Sequence, residues 1–571
     1  MTRRSRKTVV DIIAGETGTI LKNWTGRLRV ALVYPNTYSV GMSNLGYQTV
    51  YRLINQRENV VCERVFLPDR SATQVFPRSI ESGRPLRDFD IIAFSISFES
   101  DYSHLLEILQ TSAVPLTSRE RSADDPLVAA GGVACMLNPE PLAAFIDCFF
   151  IGEGEALIDP FFDRFDPERD RREMLKVLAR EVPGVYVPMF YEVQYHEDGT
   201  LRSFTPVESV PAAIERGYAR DLSSAVSCTA ILSPHTTFDR TYLIEVGRGC
   251  PHGCRFCAAG YVYRPPRFQS LEHLKAAMAA GVALTDKIGL VGAAVSDVPG
   301  ISSLCAAYRD ADIRISFSSL RADALSPELL ETLRQSRVKT ATIAPDAGSE
   351  RMRQVINKGV DEAAVLSAAE TLVAEGIPNL KLYFMVGLPT ETPADVDAVV
   401  TLCKRIKHRF LASSRTRGRM GEITVSLNSF VPKPMTPFQW APMDDPEMLK
   451  RKIKRIKDGL KRIPNMRLHH DVPRHAYIQA LLSRGDRRVA SILMGVLRNG
   501  GNWVKTLKSS PVNADFFVLR ARKTDEILPW DFIDHGISRS FLENEYHLAL
   551  KGKASPPCPM ADACRLCGVC T

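Results

Sequence analysis

The stretch 247-GRGCPHGCRFCAAG-260 decides how the rest of the chain is read. It sets Cys250, Cys254 and Cys257 at C-x3-C-x2-C spacing. Iron–sulfur clusters ordinarily close on four cysteines, whereas a site short of one protein ligand keeps a coordination position for chemistry, as catalytic zinc sites do. His252 could complete the set, but from inside the x3 loop it would have to fold back onto a centre its neighbours already wrap. The other reading leaves the fourth position facing a substrate or cofactor, which an iron can chelate through an amino group and a carboxylate.

Outward from this stretch, short apolar runs alternate with helical periodicity. Strands are expected at 241-TYLIEVGRG, KIGLVGAAV, RISFSSL, TATIAPDAG, LKLYFMVGLP and EITVSLNSFVP, with helices such as SLEHLKAAMAAG and DEAAVLSAAETLVAEG between them. Six β/α units over 241–440 describe a partial barrel or, alternatively, a second open sheet; either way the chemistry belongs at the carboxyl ends of the strands. Upstream, LRVALVY, VVCERVFLP, DIIAFSIS, PLVAAGG and DCFFIG are rich in β-branched and aromatic residues, as parallel strands buried on both faces are. Residues 25–160 are therefore expected to form a doubly wound, Rossmann-like α/β domain with a ligand at the carboxyl ends of its strands. Residues 1–24 read as an extension and 161–240 as a linker or insertion with some β structure. The fold class is α/β, with a mixed extension over 441–571.

That last region holds 449-LKRKIKRIKDGLKRI-463, in which Leu449, Ile453, Ile456, Leu460 and Ile463 mark one helical stripe among Lys and Arg. A solvated helix packed on the barrel is expected. Contact with nucleic acid is the alternative, and the basic stretch 404–419 bears on the same choice. The chain ends in 556-PPCPMADACRLCGVCT-571, where Cys558, Cys564, Cys567 and Cys570 fall in one short span. Structural zinc usually joins two knuckles through a longer loop. The packing of four cysteines into one span favours a second iron–sulfur cluster, with zinc or a redox or structural role as alternatives.

At 571 residues the chain is long enough for about three or four domains of ~100–200 residues. No apolar run reaches the ~18 residues that span a bilayer, so no membrane association is expected and the location is expected to be cytoplasmic. Thirteen cysteines in such a setting do not form a disulfide framework. Cys62, Cys135, Cys148, Cys228, Cys305 and Cys403, scattered among apolar neighbours, read as buried hydrophobes. A net charge of +8 permits an anionic partner without demanding one.

The C-x3-C-x2-C motif, with Phe256 before its third cysteine, resembles that of the radical S-adenosylmethionine (SAM) superfamily. So do SFSSLRADAL (316–325), APDAGSERMRQVINKG (344–359), KLYFMVGLPTET (381–392) and NSFVPKPMTPFQW (428–440). The resemblance implies a [4Fe–4S] cluster on the three cysteines, with SAM chelating the fourth iron and cleaved by one electron to methionine and a 5′-deoxyadenosyl radical. It also implies an electron donor such as a flavodoxin or ferredoxin. Ser319 and Arg321 match positions that meet the ribose or carboxylate of SAM. Asp346 and Gly348 stand at the fourth strand end, Met385 and Gly387 at the fifth. The second strand ends in GAAVSD (292–297), which departs from the family's Gly-Gly-Glu-like turn.

The domain order, with GGVACMLNPEP and GEGE (152–155), resembles cobalamin-domain radical enzymes, although 101-DYSH-104 lacks the D-x-H-x-x-G spacing that ligates cobalt. Cobalamin binding and a repurposed domain are both compatible with that. SRGDRR (483–488), LPWDFIDHGI (528–537) and the cysteine-rich ending resemble one family of bacterial radical SAM proteins. The expected activity is methyl or methylthio transfer, with RNA among the substrate classes. The alternative is a non-catalytic iron–sulfur electron carrier or RNA-binding sensor.

Overall fold

The computed structural model describes residues 9–68, 76–222, 227–415, 421–561 and 564–570. Residues 416–419 of the basic stretch, and Asp562 and Ala563 in the final cysteine segment, lie outside them. Among the described residues no helix is long and apolar enough to cross a membrane.

The N-terminal sheet contains β1 (Leu28–Tyr34), β2 (Val60–Phe66), β3 (Ile91–Ser95), β4 (Leu127–Gly131), β5 (Cys148–Phe150) and β6 (Val185–Tyr186). Their order is 2-1-3-4-5-6, with the first five parallel and β6 antiparallel to β5. All seven residues of β2 and the last five of β1 are buried. Their continuous apolar runs fit a sheet covered on both faces. Helix Leu45–Gln56, whose first turn is capped by the Asn44 side chain accepting from Tyr47 N, makes the crossover from β1 to β2. The strand order reverses between β1 and β3, which opens a crevice at their carboxyl ends.

Residues 161–240 contribute the helix Arg171–Glu181 and the edge strand β6 to this domain. They continue with an antiparallel hairpin of β7 (Tyr191–Tyr195) and β8 (Leu201–Pro206), then β9 (Ile214–Glu215).

The partial barrel differs from the expected six-unit array. Among the described residues it has seven parallel strands in two ladders. The first joins β10 (Tyr242–Glu245), β13 (Lys287–Val291) and β14 (Arg314–Phe317). Between β10 and β13 the chain makes a small antiparallel hairpin of β11 (Gly247–Arg248) and β12 (Arg267–Phe268). The second ladder joins β15 (Thr340–Asp346), β16 (Asn379–Val386), β17 (Ile423–Ser429) and β18 (Met466–His470).

The break between β14 and β15 coincides with separate apolar cores. Ile244, Val246, Ile288, Leu290 and Ile315 cluster with Leu274 and Met278 of their own helix Leu271–Val282. The second ladder shares a core with the N-terminal domain and the C-terminal helices. β18 lies beyond 440, in the segment expected to be extension, and pairs with β17 through Met466, Leu468 and His470. A further two-residue strand, β19 (Ile533–Asp534), pairs with β9.

The basic helix spans Pro446–Leu460, with Asp445 capping the backbone N–H groups of Glu447 and Met448. Leu449, Ile453, Ile456 and Leu460 are buried against the barrel. Much of its charge is locally matched: Lys450 pairs with Glu447, Lys452 with Glu391 and Asp444, Lys454 with Asp458, and Arg455 with Asp397. This supports the solvated, packed helix over a polyanion-binding face. The six scattered cysteines are all buried.

Candidate active site

The cysteine loop leaves the β11–β12 hairpin at Gly249, whose left-handed φ of 81° and close approach to the Tyr263 carbonyl leave no room for a Cβ. Cys250, Cys254 and Cys257 follow, all half-buried. Burial pushes the Cys250 thiol up to about 11 and the Cys254 thiol up to about 12, and raises Cys257 as well. Each thiol stands in the field of at least one other, so the three lie near one another. Thiols this desolvated become thiolates by binding a cationic centre. Among the described residues no three metal-ligating side chains close around a single ion.

His252 is engaged elsewhere: its Nε2 is 2.6 Å from the Asp297 carboxylate. That leaves the three thiols as a donor set of the kind a site-differentiated [4Fe–4S] cluster takes.

Two charged groups frame the loop. Lys358 Nζ donates to Asp346 at 2.5 Å, and both lie beside Cys254 and Cys257. Burial works against the Lys358 ammonium, but Asp346 and Cys254 more than reverse it, so its pKa is raised and the cation is held. Asp346 takes a left-handed φ of 60° at a break in the β15–β16 register. For a non-glycine residue this is strain of the sort that collects at functional sites. Arg321 is chelated by Asp323 at 2.9 and 2.7 Å and also lies in the field of Cys250 and Cys254.

The other sequence-derived candidates divide. Phe256 and Met385, both partly buried, each pack against the apolar cluster of Met352, Val355 and Phe430. Ser319 donates to the Gly292 carbonyl at 2.8 Å and so holds the GAAVSD turn, the one that carries Asp297. Gly348 and Gly387 serve packing. A Cβ on Gly348 would overlap the Val399 backbone of helix Pro393–Arg415, and one on Gly387 would meet Leu449.

Several functional residues escaped sequence reasoning. Arg248 binds Glu153 (2.7 Å), Glu155 (2.9 Å) and Glu245 (2.7 Å) at once. Arg267 chelates Glu153 at 2.6 and 3.0 Å. The GEGE loop of the N-terminal domain is thereby fastened to the hairpin that launches the cysteines. Arg255, between two of the cysteines, is fully buried. It donates to Glu545 (3.0 Å), Ser555 (2.8 Å) and the Gln354 and Val355 carbonyls. A charged residue inside a cysteine motif was the available signal.

Other motif stretches also meet across the interface. Asn138 donates to the carbonyls of Ser483 and Gly485, Arg487 pairs with Glu140 at 2.9 Å, and His535 donates to the Met136 carbonyl. Lys433 pairs with Glu99. In the 101–104 turn, His104 Nδ1 donates to the Pro35 carbonyl at 3.1 Å.

Between the two domains lies a cavity of about 1000 Å³. Asn44, Ser95, Ser97 and Gly132, at the carboxyl ends of the N-terminal strands, form one wall. Arg248, Gly249, Ala259 and Tyr263, on either side of the cysteines, form part of the other. Gly132 (φ 105°) approaches the Ile96 carbonyl too closely for any side chain.

At the chain's end, Cys558, Cys564 and Cys567 all act on the Cys570 thiol, which burial and their fields raise. The four therefore lie within electrostatic reach of one another, although among the described residues no three of them close around a single ion. Cys558 N donates to Pro251 O at 2.8 Å, and Pro251 directly follows Cys250.

A parallel partial barrel with three neighbouring cysteines after its first strand defines an enzyme class that does its chemistry at strand ends. The family model described as the radical SAM superfamily matches residues 244–403, and the one for the N-terminal region of radical SAM proteins matches 46–188. An uncharacterized protein of Methanocaldococcus jannaschii is 30% identical over 471 residues, covering 81% of this chain and 90% of its own. The chain belongs to the radical SAM superfamily and is an enzyme of it; the superfamily implies a [4Fe–4S] cluster and SAM.

Among solved structures, the radical SAM methyltransferase TsrM of Kitasatospora setae, with tryptophan and a SAM analogue bound, is similar at 14% identity and TM-score 0.44, over 70% of this chain and 72% of its own. The cobalamin-dependent radical enzyme OxsB is similar at 17% and 0.42, over 66% and 51%. Likenesses this distant bear on neither substrate nor reaction.

Proposed function

We propose that this enzyme transfers a methyl group to an acceptor admitted to the cavity between its two domains. The observation that carries the reading is the continuity of that cavity. It runs from the crevice of the N-terminal sheet, where open α/β sheets bind ligands, to the flanks of the cysteine loop. Its volume stands at the top of the ~300–1,000 Å³ range for small-molecule sites, room enough for a large organic cofactor or an acceptor beside SAM.

Bound by Cys250, Cys254 and Cys257, a [4Fe–4S] cluster with SAM would supply one-electron cleavage of the sulfonium. The chain's own residues do the rest. Lys358, held cationic by Asp346, balances negative charge beside the thiolates. Phe256 and Met385 anchor the site to the apolar cluster at the strand ends. Arg248 and Arg267 hold the GEGE wall of the cavity in register with the cysteines.

A corrinoid is the methyl carrier we favour for the crevice. None of the cavity's described lining residues is histidine, so the protein would present glycine-rich backbone and hydroxyl groups to it. The four C-terminal cysteines we assign to a second iron–sulfur cluster.

The test is anaerobic reconstitution with iron, sulfide and hydroxocobalamin, followed by SAM labelled in its methyl group and a reductant. Free small acceptors and cellular RNA are offered in parallel. Retained corrinoid absorbance, S-adenosylhomocysteine and label in one acceptor class support the reading. Cleavage of SAM with no corrinoid retained and no labelled acceptor would refute it.

A further inference from the structure

We infer that the C-terminal cysteine site is where electrons arrive, delivered by an acidic one-electron carrier protein that docks on the exposed residues around it. The inference rests on reading the first cysteine loop as the site of SAM cleavage.

Three observations lead there. First, the two cysteine sites are joined directly. The Cys558 N–H to Pro251 carbonyl bond, 2.8 Å long, puts one hydrogen bond between the backbone of a C-terminal ligand and that of the residue next to Cys250. A second link runs from Arg255, beside Cys254, to Ser555 Oγ at 2.8 Å, with Glu545 bonded to both.

Second, the C-terminal site has apolar side chains open to solvent. Its cysteines are half-buried like those of the first loop, except Cys567, which is buried, while Met560 is 44% and Leu566 63% exposed. Met560 and Leu566 give the segment a small apolar spot that a partner can cover.

Third, the segment's own charge is basic and unpaired. Lys551, Lys553 and Arg565 are exposed and make no ion pair among the described residues. Asp562 is the one acidic side chain in 551–571. A small apolar spot with a cationic rim suits the weak, transient encounters of electron-transfer proteins, which bury under about 1,200 Å². It would steer an acidic partner.

The electron count is simple. For each SAM cleaved, one electron leaves the carrier, which is oxidised by one unit, and crosses by way of the Cys558–Pro251 contact. It is consumed in breaking the sulfonium carbon–sulfur bond, whose electron pair ends on the methionine sulfur while the 5′-deoxyadenosyl carbon keeps one unpaired electron. No proton moves.

The experiment uses the full-length, anaerobically reconstituted protein and reduced bacterial flavodoxin as the probe. Flavodoxin binding and the rate of reduction by flavodoxin, taken relative to dithionite, are measured for wild type and Arg565→Glu/Leu566→Asp. We expect the affinity and the rate ratio each to fall about tenfold in the variant, and the wild-type rate to fall as salt rises. For Cys564→Ala/Cys567→Ala, iron content should drop by about half and reduction by flavodoxin should be lost.

Zinc at the C-terminal site would overturn the inference. So would an iron-depleted cysteine variant that flavodoxin reduces at the wild-type rate, or an unchanged rate ratio in the surface variant. Failure of wild type to release 5′-deoxyadenosine with dithionite would instead strike the reading of the first site.

Discussion

Glu153→Ala should loosen the junction between the N-terminal domain and the cysteine loop. The Glu153 carboxylate is 2% exposed and accepts from Arg248 (2.7 Å), from Arg267 (2.6 and 3.0 Å) and from the Ala219 backbone (3.1 Å). Arg248 keeps Glu155 and Glu245 without it, but Arg267 (8% exposed) is left with carbonyl partners and the Tyr218 ring, and no carboxylate. Removing one partner of a buried pair costs about 3–5 kcal/mol, because the remaining charge stays buried and uncompensated. At about 1.4 kcal/mol per factor of ten, amides of the β11–β12 hairpin should exchange about a hundredfold to several thousandfold faster.

Hydrogen exchange resolved to residues 247–268 is the assay, since local opening need not move a global midpoint. Glu155→Ala, which loses only Arg248 and a long contact to Ser227, should do less. The pH dependence has a definite sign. Burial opposes ionisation of Glu153, but Arg267 and Arg248 outweigh it and hold the carboxyl below its ordinary value. Its contribution is therefore present above the ordinary carboxylate range and is lost as pH falls through the lowered folded value. Hairpin protection that is unchanged in Glu153→Ala at neutral pH would refute the clamp.

Three further outcomes are expected. Arg255→Ala should cost about 3–5 kcal/mol by stranding Glu545 and should lower iron content at both cysteine sites, read by metal analysis after reconstitution. Gly348→Ala should cost about 1–3 kcal/mol by overpacking against helix Pro393–Arg415, seen as a lower denaturation midpoint. Asp395, buried at the start of that helix, is held low by Arg351, Ser349 and Thr392 against the cost of burial. Asp395→Asn should therefore remove stability at neutral pH and little below the folded-state value, shown by comparing denaturation midpoints across acid pH.

Much of the architecture was legible because parallel strands buried on both faces advertise themselves. LRVALVY and VVCERVF could be placed by composition alone, and so could the six strands between 241 and 440. β18 was not legible: MRLHH has no apolar run and takes its place through pairing with β17. The division of the barrel ladder was hidden too, since which cores the helices share is a tertiary matter.

At the site, the cysteine spacings could be read directly, while the roles of the charged residues could not. GEGE reads equally as a binding loop or a strand exit until Arg248, about a hundred positions downstream, is seen to meet it. Arg321 and Asp346 were found by resemblance, but their partners Asp323 and Lys358 appear only in three dimensions. Nothing in the sequence puts Cys558 beside Pro251.

The most direct test of the account is chromatography of nucleoside products from the anaerobically reconstituted protein with SAM and dithionite. The account predicts 5′-deoxyadenosine from wild type and none from a Cys250→Ala/Cys254→Ala/Cys257→Ala variant that still folds. An intact, reducible cluster that leaves SAM uncleaved across the acceptors offered would contradict it and return the protein to the class of iron–sulfur carriers and sensors.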